Sequence, residues 1–177
     1  MGAALKRVLF SETYRTSPHV QTFDCGSEPW HVEISQWLKA PDGAILAPVH
    51  PTHRSDVWLY LTQEDDLVGF GSLGGTIWPM PQPYNGPVPV NIIPYMGIAR
   101  SFWGCPKGAP QEDRYSTLIM EDLINEAEDA CVSFKREPFL TLFVHPSNAQ
   151  AKKFYVRMGF KRSSRKQGIY EGMRREL

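Results

Sequence analysis

Two side chains near the C-terminus could move a proton at neutral pH: the phenol of Tyr155 and the imidazole of His145. A phenol with a pKa of about 10 is protonated at pH 7 and can donate. An imidazole titrates close to that pH and can accept. His50, His53, Asp56 and Glu33 are further candidate acceptors. His50-Pro51-Thr52-His53 supplies only two histidines, too small a ligand set, so no metal site is predicted. The sequence contains no G-x-S-x-G, Walker loop or paired C-x-x-C.

Tyr155 and His145 belong to the run Val144-His145-Pro146-Ser147-Asn148-Ala149-Gln150-Ala151-Lys152-Lys153-Phe154-Tyr155-Val156-Arg157-Met158-Gly159-Phe160. It reads as strand end, turn, short helix and helix stop. Asn148 can cap the helix, because its side-chain oxygen accepts from a backbone N–H that the first turn leaves unpaired. Gly159 can end it in a left-handed conformation. Ala151, Phe154 and Met158 recur at the spacing of a buried stripe, with Asn148, Lys152 and Tyr155 on a neighbouring face. Tyr155 is thus expected at a border between core and cleft.

With 177 residues the chain fits one domain spanning 1–177. No stretch approaches the roughly 20 apolar residues that cross a bilayer, and residues 1–10 lack a signal-peptide core. Cys25, Cys105 and Cys131 are widely spaced and odd in number, which suits a reducing compartment, so a cytoplasmic protein is expected. The 19 basic and 19 acidic residues balance, leaving no overall field to gather nucleic acid. Charge is uneven along the chain: nine basic residues face only Glu171 between 152 and 175, a face suited to an anionic ligand.

Upstream, residues 8–14 are expected as a strand, 30–39 as a helix and 40–56 as a loop. Residues 57–61 and 67–73 read as a hairpin joined by Gln63-Glu64-Asp65-Asp66. Residues 74–89 hold five prolines and three glycines and read as a long Pro-rich loop, with Trp78 and Tyr84 exposed for acceptor contacts. Residues 90–99 read as a strand containing Pro94, tolerable only at an edge or bulge. Gly97 within it permits close approach of another backbone or a ligand. Residues 116–135 form a helix, with Leu118, Ile119, Leu123, Ala127 and Ala130 along one face. Strands at 139–144 and 168–174 complete an α/β layout with a mixed sheet.

The pattern V-x-x-x-N-x-x-A-x-x-F-Y-x-x-x-G-F, met by Val144, Asn148, Ala151, Phe154, Tyr155, Gly159 and Phe160, resembles the C-terminal motif of the GCN5-related N-acetyltransferases (GNAT). The resemblance extends over 90–160, the acyl-CoA-binding half in that family. It implies a single-domain fold with a central mixed, mostly antiparallel sheet flanked by helices. It also implies an acetyl-CoA site between the strands ending near Ile98 and Val144. Pantetheine would add to Met96, Gly97 and Ile98 by main-chain hydrogen bonds, and pyrophosphate would rest on the following helix N-terminus, where unpaired N–H groups and the helix dipole favour an anion.

The family's loop, R/Q-x-x-G-x-G/A, is altered here. Read forward, it keeps Gly108 but has Trp103 for Arg/Gln and Pro106 for a glycine; read back from the helix, it keeps Gln111 but has Arg114 and Ser116 at glycine positions. The two registers imply an insertion. Arg114, Tyr115, Ser116 and Thr117 are the expected phosphate contacts, with Asn148 and Tyr155 completing the cofactor set. Arg114 can replace lost backbone contacts with a charge-assisted one, while Glu112 and Asp113 repel a pyrophosphate.

The resemblance implies acetyl transfer from acetyl-CoA to a primary amine of a small molecule, peptide or aminoacyl-tRNA, possession of a second copy as partner being common in the fold. Tyr155 matches the family tyrosine near the thioester sulfur, and His145 is the first candidate base. Phe23-Asp24-Cys25-Gly26, Trp37-Leu38, Pro87-Val88-Pro89-Val90 and Val144-His145 are similar to acetyltransferase toxins that modify aminoacyl-tRNA. The alternative is a non-catalytic acyl-CoA-binding or interaction protein of the same fold.

Overall fold

The computed structural model describes residues 4–49, 54–80, 83–84 and 86–177. Among the described residues, eight strands form a mixed, mostly antiparallel sheet: β1 (Lys6–Leu9), β2 (Ser55–Leu61), β3 (Leu67–Pro79), β4 (Pro87–Ile93), β5 (Met96–Ile98), β6 (Phe139–Val144), β7 (Lys161–Gln167) and β8 (Tyr170–Glu176). Their order is β1-β2-β3-β4-β6-β8-β7, and β5 pairs with β3. The α-helices among the described residues are α1 (Glu12–Arg15), α2 (Pro18–Gln21), α3 (Pro29–Lys39), α4 (Tyr115–Phe134) and α5 (Ala149–Arg157). Among the described residues, no helix is long and apolar enough to cross a membrane.

The chain divides into two compact units, residues 1–72 with 95–122 and residues 73–94 with 123–177. In the first, Val20, Phe23, Cys25, Leu38, Leu59 and Phe70 form a buried core. The β2–β3 turn is held by the Thr62 hydroxyl, which accepts from Glu64 N and Asp66 N, and by Asp65 at φ 68°. β5 is antiparallel to β3 in the register Gly69↔Ile98, Phe70↔Gly97 and Gly71↔Met96.

In the second unit β4 runs antiparallel to β3 and parallel to β6. Asn91, fully buried, satisfies its amide by donating to Ala127 O (2.9 Å) and Cys131 Sγ (3.0 Å) and accepting from Arg136 Nη1 (2.6 Å). Gly75, the cross-strand partner of Asn91, makes room for that arginine: a Cβ there would lie 2.6 Å from Arg136 Nη2. A buried amide without these partners would be costly, so this network ties the end of α4 to β4.

Several sequence expectations change. The strand expected over 8–14 is shorter, ending at Leu9, and α1 follows. The strand expected over 90–99 is two strands, interrupted at Pro94 and Tyr95, where proline cannot donate to a ladder. The Pro-rich loop expected over 74–89 is largely strand: β3 continues to Pro79 and β4 starts at Pro87. The prolines are accommodated because Pro79 pairs with Pro87 at the end of the hairpin next to its connecting segment, and β6 joins β4 only from Asn91 onward, past Pro87 and Pro89. Trp78, expected to be exposed, is fully buried among Val90, Phe139 and Phe143, with the Arg165 guanidinium 4.6 Å above its ring. The strand β7 went unforeseen, because Lys161-Arg162-Ser163-Ser164-Arg165-Lys166-Gln167 carries no apolar alternation.

Candidate active site

Each unit contributes a separate set of the expected site residues. In the first, β5 presents its backbone in a defined way. Ser72 N donates to Tyr95 O (3.0 Å) and Ala99 N to Val68 O (2.8 Å), which fixes the ladder's parity. Alternation then turns the backbone groups of Gly97 toward β3 and those of Met96 and Ile98 to the other side. Sequence reasoning grouped these three residues; the ladder separates them. A Cβ at Gly97 would lie 2.9 Å from Phe70 and 3.0 Å from Ile34, so the close approach that this glycine permits is that of the core packed behind the strand.

Ser72, fully buried, sets where β5 begins. Its hydroxyl donates to Tyr95 O (2.8 Å) and accepts from Tyr95 N (2.9 Å). The Tyr95 ring stacks on Trp37 at 4.3 Å, and its hydroxyl donates to Glu33 Oε1 (3.4 Å). Burial and the neighbouring Glu33 carboxylate push the Tyr95 phenol pKa up. Glu33, a candidate base, is thus engaged with Tyr95. Ser72 and Tyr95 escaped the sequence reading; the strand break at Pro94 was the available signal.

Between β5 and α4 runs an elaborated loop with short 3-10 turns at Arg100–Phe102 and Gln111–Asp113. Gly104 and Gly108 adopt positive φ of 69° and 78°, and nothing lies within 4 Å of where either Cβ would be. Gly108 is therefore required by the turn's conformation and not by close contact. At the start of α4, Tyr115 N–H donates to Cys105 O (3.0 Å), so the loop itself satisfies one helix-terminal donor. Arg114 Nε is buried and has no hydrogen-bond partner among the described residues. A buried, charged donor without an acceptor fits an anion such as pyrophosphate. Ser116 is half-buried and Thr117 buried on the first turn of α4.

In the second unit α5 follows the sequence reading closely. Asn148 Oδ1 accepts from Ala151 N (3.0 Å), and Gly159 stops the helix at φ 85°. Ala151, Phe154 and Met158 are half-buried, less enclosed than their spacing suggested. Tyr155, also half-buried, lies between the rings of Phe154 (5.5 Å) and Phe160 (5.8 Å). Desolvation of its phenol pushes the pKa up to about 12, and its hydroxyl makes no hydrogen bond among the described residues. The group is a protonated donor with its proton uncommitted. His145 Nδ1 accepts from Ser147 N (3.2 Å), and its ring meets Tyr170 edge-on at 5.7 Å. Lys152 is engaged by Pro146 O (2.5 Å) and Glu171 (3.5 Å). Asp56 is exposed on β2; His50 and His53 lie outside the described residues. Among the described residues no group of three or more His, Cys, Asp or Glu could hold a metal ion.

No family model and no curated protein matches the chain. Solved structures do. A bacterial toxin superposes with a TM-score of 0.73 at 15% identity over 98% of this chain and 91% of its own. AtaTR bound with AcCoA gives 0.65 at 16% identity over 95% and 91%. AtaT complexed with acetyl-methionyl-tRNAfMet gives 0.63 at 18% identity over 96% and 94%. At these identities the likeness shows the fold: α/β and GNAT-like, as the motif around Tyr155 implied.

Proposed function

We propose that this chain is an acetyl-CoA-dependent N-acetyltransferase acting on a primary amine. The observation that carries the reading is Tyr155, a desolvated and protonated phenol on the capped helix that matches the family motif. Acetyl-CoA would supply the thioester whose acetyl group the amine receives. Met96 and Ile98 direct main-chain N–H groups away from β3, where one can polarise a carbonyl oxygen. Gly97 keeps the strand close against its core. Arg114 offers its buried Nε–H to a pyrophosphate oxygen, with Tyr115, Ser116 and Thr117 around it and Gly108 shaping the loop before it. Asn148 orients α5 through its cap.

Tyr155 keeps its proton at every working pH, because its pKa lies near 12, and gives it to the departing thiolate. His145 is the candidate base through Nδ1, the unprotonated nitrogen that accepts from Ser147 N, while Nε2 carries the proton of the neutral ring. The likeness to AtaT complexed with acetyl-methionyl-tRNAfMet favours the α-amino group of an aminoacyl-tRNA as the acceptor. The three free cysteines, Cys25, Cys105 and Cys131, fit the cytoplasm.

A second reading, acyl-CoA binding without turnover, draws on the loop, where the Cys105 carbonyl occupies Tyr115 N–H and Glu112 and Asp113 precede the helix. Thermal shift tests the two readings together, since a ligand that binds only the folded state raises the melting temperature. Both CoA readings expect a rise with acetyl-CoA, and no rise at saturation overturns them. Thiol release that depends on added amine then selects the enzyme.

A further inference from the structure

The carbonyl of Ile98 is already taken. The β3–β5 ladder turns the backbone groups of Met96 and Ile98 away from β3. On that side the Trp103 indole Nε1–H donates to Ile98 O at 3.1 Å. Trp103 stands where the resembling loop carries arginine or glutamine, and its side chain is 39% exposed, so ligand could reach it.

A bracket of contacts from residues 24–31 surrounds the indole. Asp24 O accepts from Arg100 N (2.7 Å), anchoring the turn from which Trp103 projects, and Asp24 Oδ1 accepts from Gly26 N (2.8 Å). The His31 ring meets Trp103 edge-on at 5.4 Å and Trp30 at 5.7 Å. Gly26 gives both rings their space: a Cβ there would lie 2.4 Å from His31 Nδ1 and 3.0 Å from Trp103 Cη2, and its φ of 128° is strained for any other residue. The segment Asp24-Cys25-Gly26 is also tied to α3, with Cys25 N donating to Ser35 Oγ (3.2 Å) and Cys25 Sγ to His31 O (3.1 Å). Burial lowers the His31 pKa, so the imidazole in this bracket is neutral at pH 7.

We infer that Trp103 is a cofactor-admission residue: its indole N–H holds the Ile98 carbonyl in place of an amide donor of the pantetheine arm and must leave for that arm to add to β5. The inference rests on the acetyl-CoA reading above. An extended ligand adds to a strand edge by main-chain hydrogen bonds, and along β5 the outward acceptors are those of Met96 and Ile98. With one of the two already bonded, binding includes the loss of the indole bond. An intramolecular hydrogen bond of net value near 1 kcal/mol corresponds to about a fivefold factor in affinity.

The test uses the full chain with acetyl-CoA itself. Trp103→Phe keeps an aromatic ring against His31 and removes the donor. Calorimetric titration is expected to show it binding acetyl-CoA about three- to tenfold more tightly than wild type. On wild type, the Trp103 indole N–H resonance is expected to lose its protection from solvent exchange when acetyl-CoA is added. This second readout needs no variant, so it stands even if Trp103→Phe folds poorly. Equal or weaker affinity for Trp103→Phe overturns the inference and leaves the acetyl-CoA reading intact. So does an indole N–H that stays protected while the Met96 and Ile98 amides shift, because both donors then share the carbonyl. No binding by either protein overturns the acetyl-CoA reading and the inference with it.

Discussion

Residues 144–160 and residues 99–114 supply the two ends of one proposed chemistry, the proton donor and the phosphate contact, and their conformations are determined in opposite ways. In the first, the constraints that set the helix around Tyr155 are mainly local: Asn148 caps its own helix through Ala151 N, Gly159 ends it at φ 85°, and the rings around Tyr155 are its chain neighbours Phe154 and Phe160. In the second, the constraints come from afar. Asp24 holds Arg100, and His31 packs on Trp103. Local constraints are written in spacing; distant ones are not. A segment of the first kind keeps its motif recognisable, whereas one of the second kind can trade an arginine or glutamine for Trp103 and glycines for Pro106 and Arg114 provided that its distant partners hold it.

The contrast can be broken most strongly at Tyr155. Tyr155→Phe removes the proton donor and little else, so kcat is expected to fall about 100-fold or more with acetyl-CoA affinity retained. Steady-state kinetics beside calorimetry would show it; a matching loss of affinity would make Tyr155 a binding residue. Arg114→Ala is expected to act on the other axis. Losing a charge-assisted contact should weaken acetyl-CoA binding about tenfold, with a smaller change in kcat at saturation.

The remaining two effects concern stability. Asn148→Ala should cost about 1 kcal/mol in chemical denaturation, because the cap is local and nothing distant replaces it. For His31, burial lowers the folded-state pKa below its ordinary 6.5. Its contribution to stability is therefore present above that value and declines as pH falls through 6.5 toward the folded pKa, since the unfolded chain binds the proton more readily. Denaturation midpoints at pH 7.5 and 5.5 should differ less in His31→Gln than in wild type. An equal slope in both would show that the bracket around Trp103 is not sensitive to this imidazole.

The sequence made α3, β6 and α5 legible because each announces itself through period, cap or apolar run, and the GNAT-like fold followed from α5. It misled over 74–89, where proline content outweighed strand pairing that only Pro79 opposite Pro87 and Gly75 beside Arg136 explain. It missed β7, whose pairing with β8 needs no apolar face of its own. The spacing singled out Tyr155, the proton donor proposed here. The clamp of Ser72 on Tyr95 could not be found that way, since it joins two strands through a register that the sequence does not display, and the same register decides that the Ile98 carbonyl faces Trp103.

The central claim is acetyl transfer, and the most direct measurement is thiol release from acetyl-CoA by the full chain, with and without a panel of primary amines that includes an aminoacyl-tRNA. Release is expected to depend on the amine and to drop about 100-fold in Tyr155→Phe. Acetyl-CoA that binds but yields no amine-dependent thiol, or a Tyr155→Phe protein as active as wild type, would contradict it.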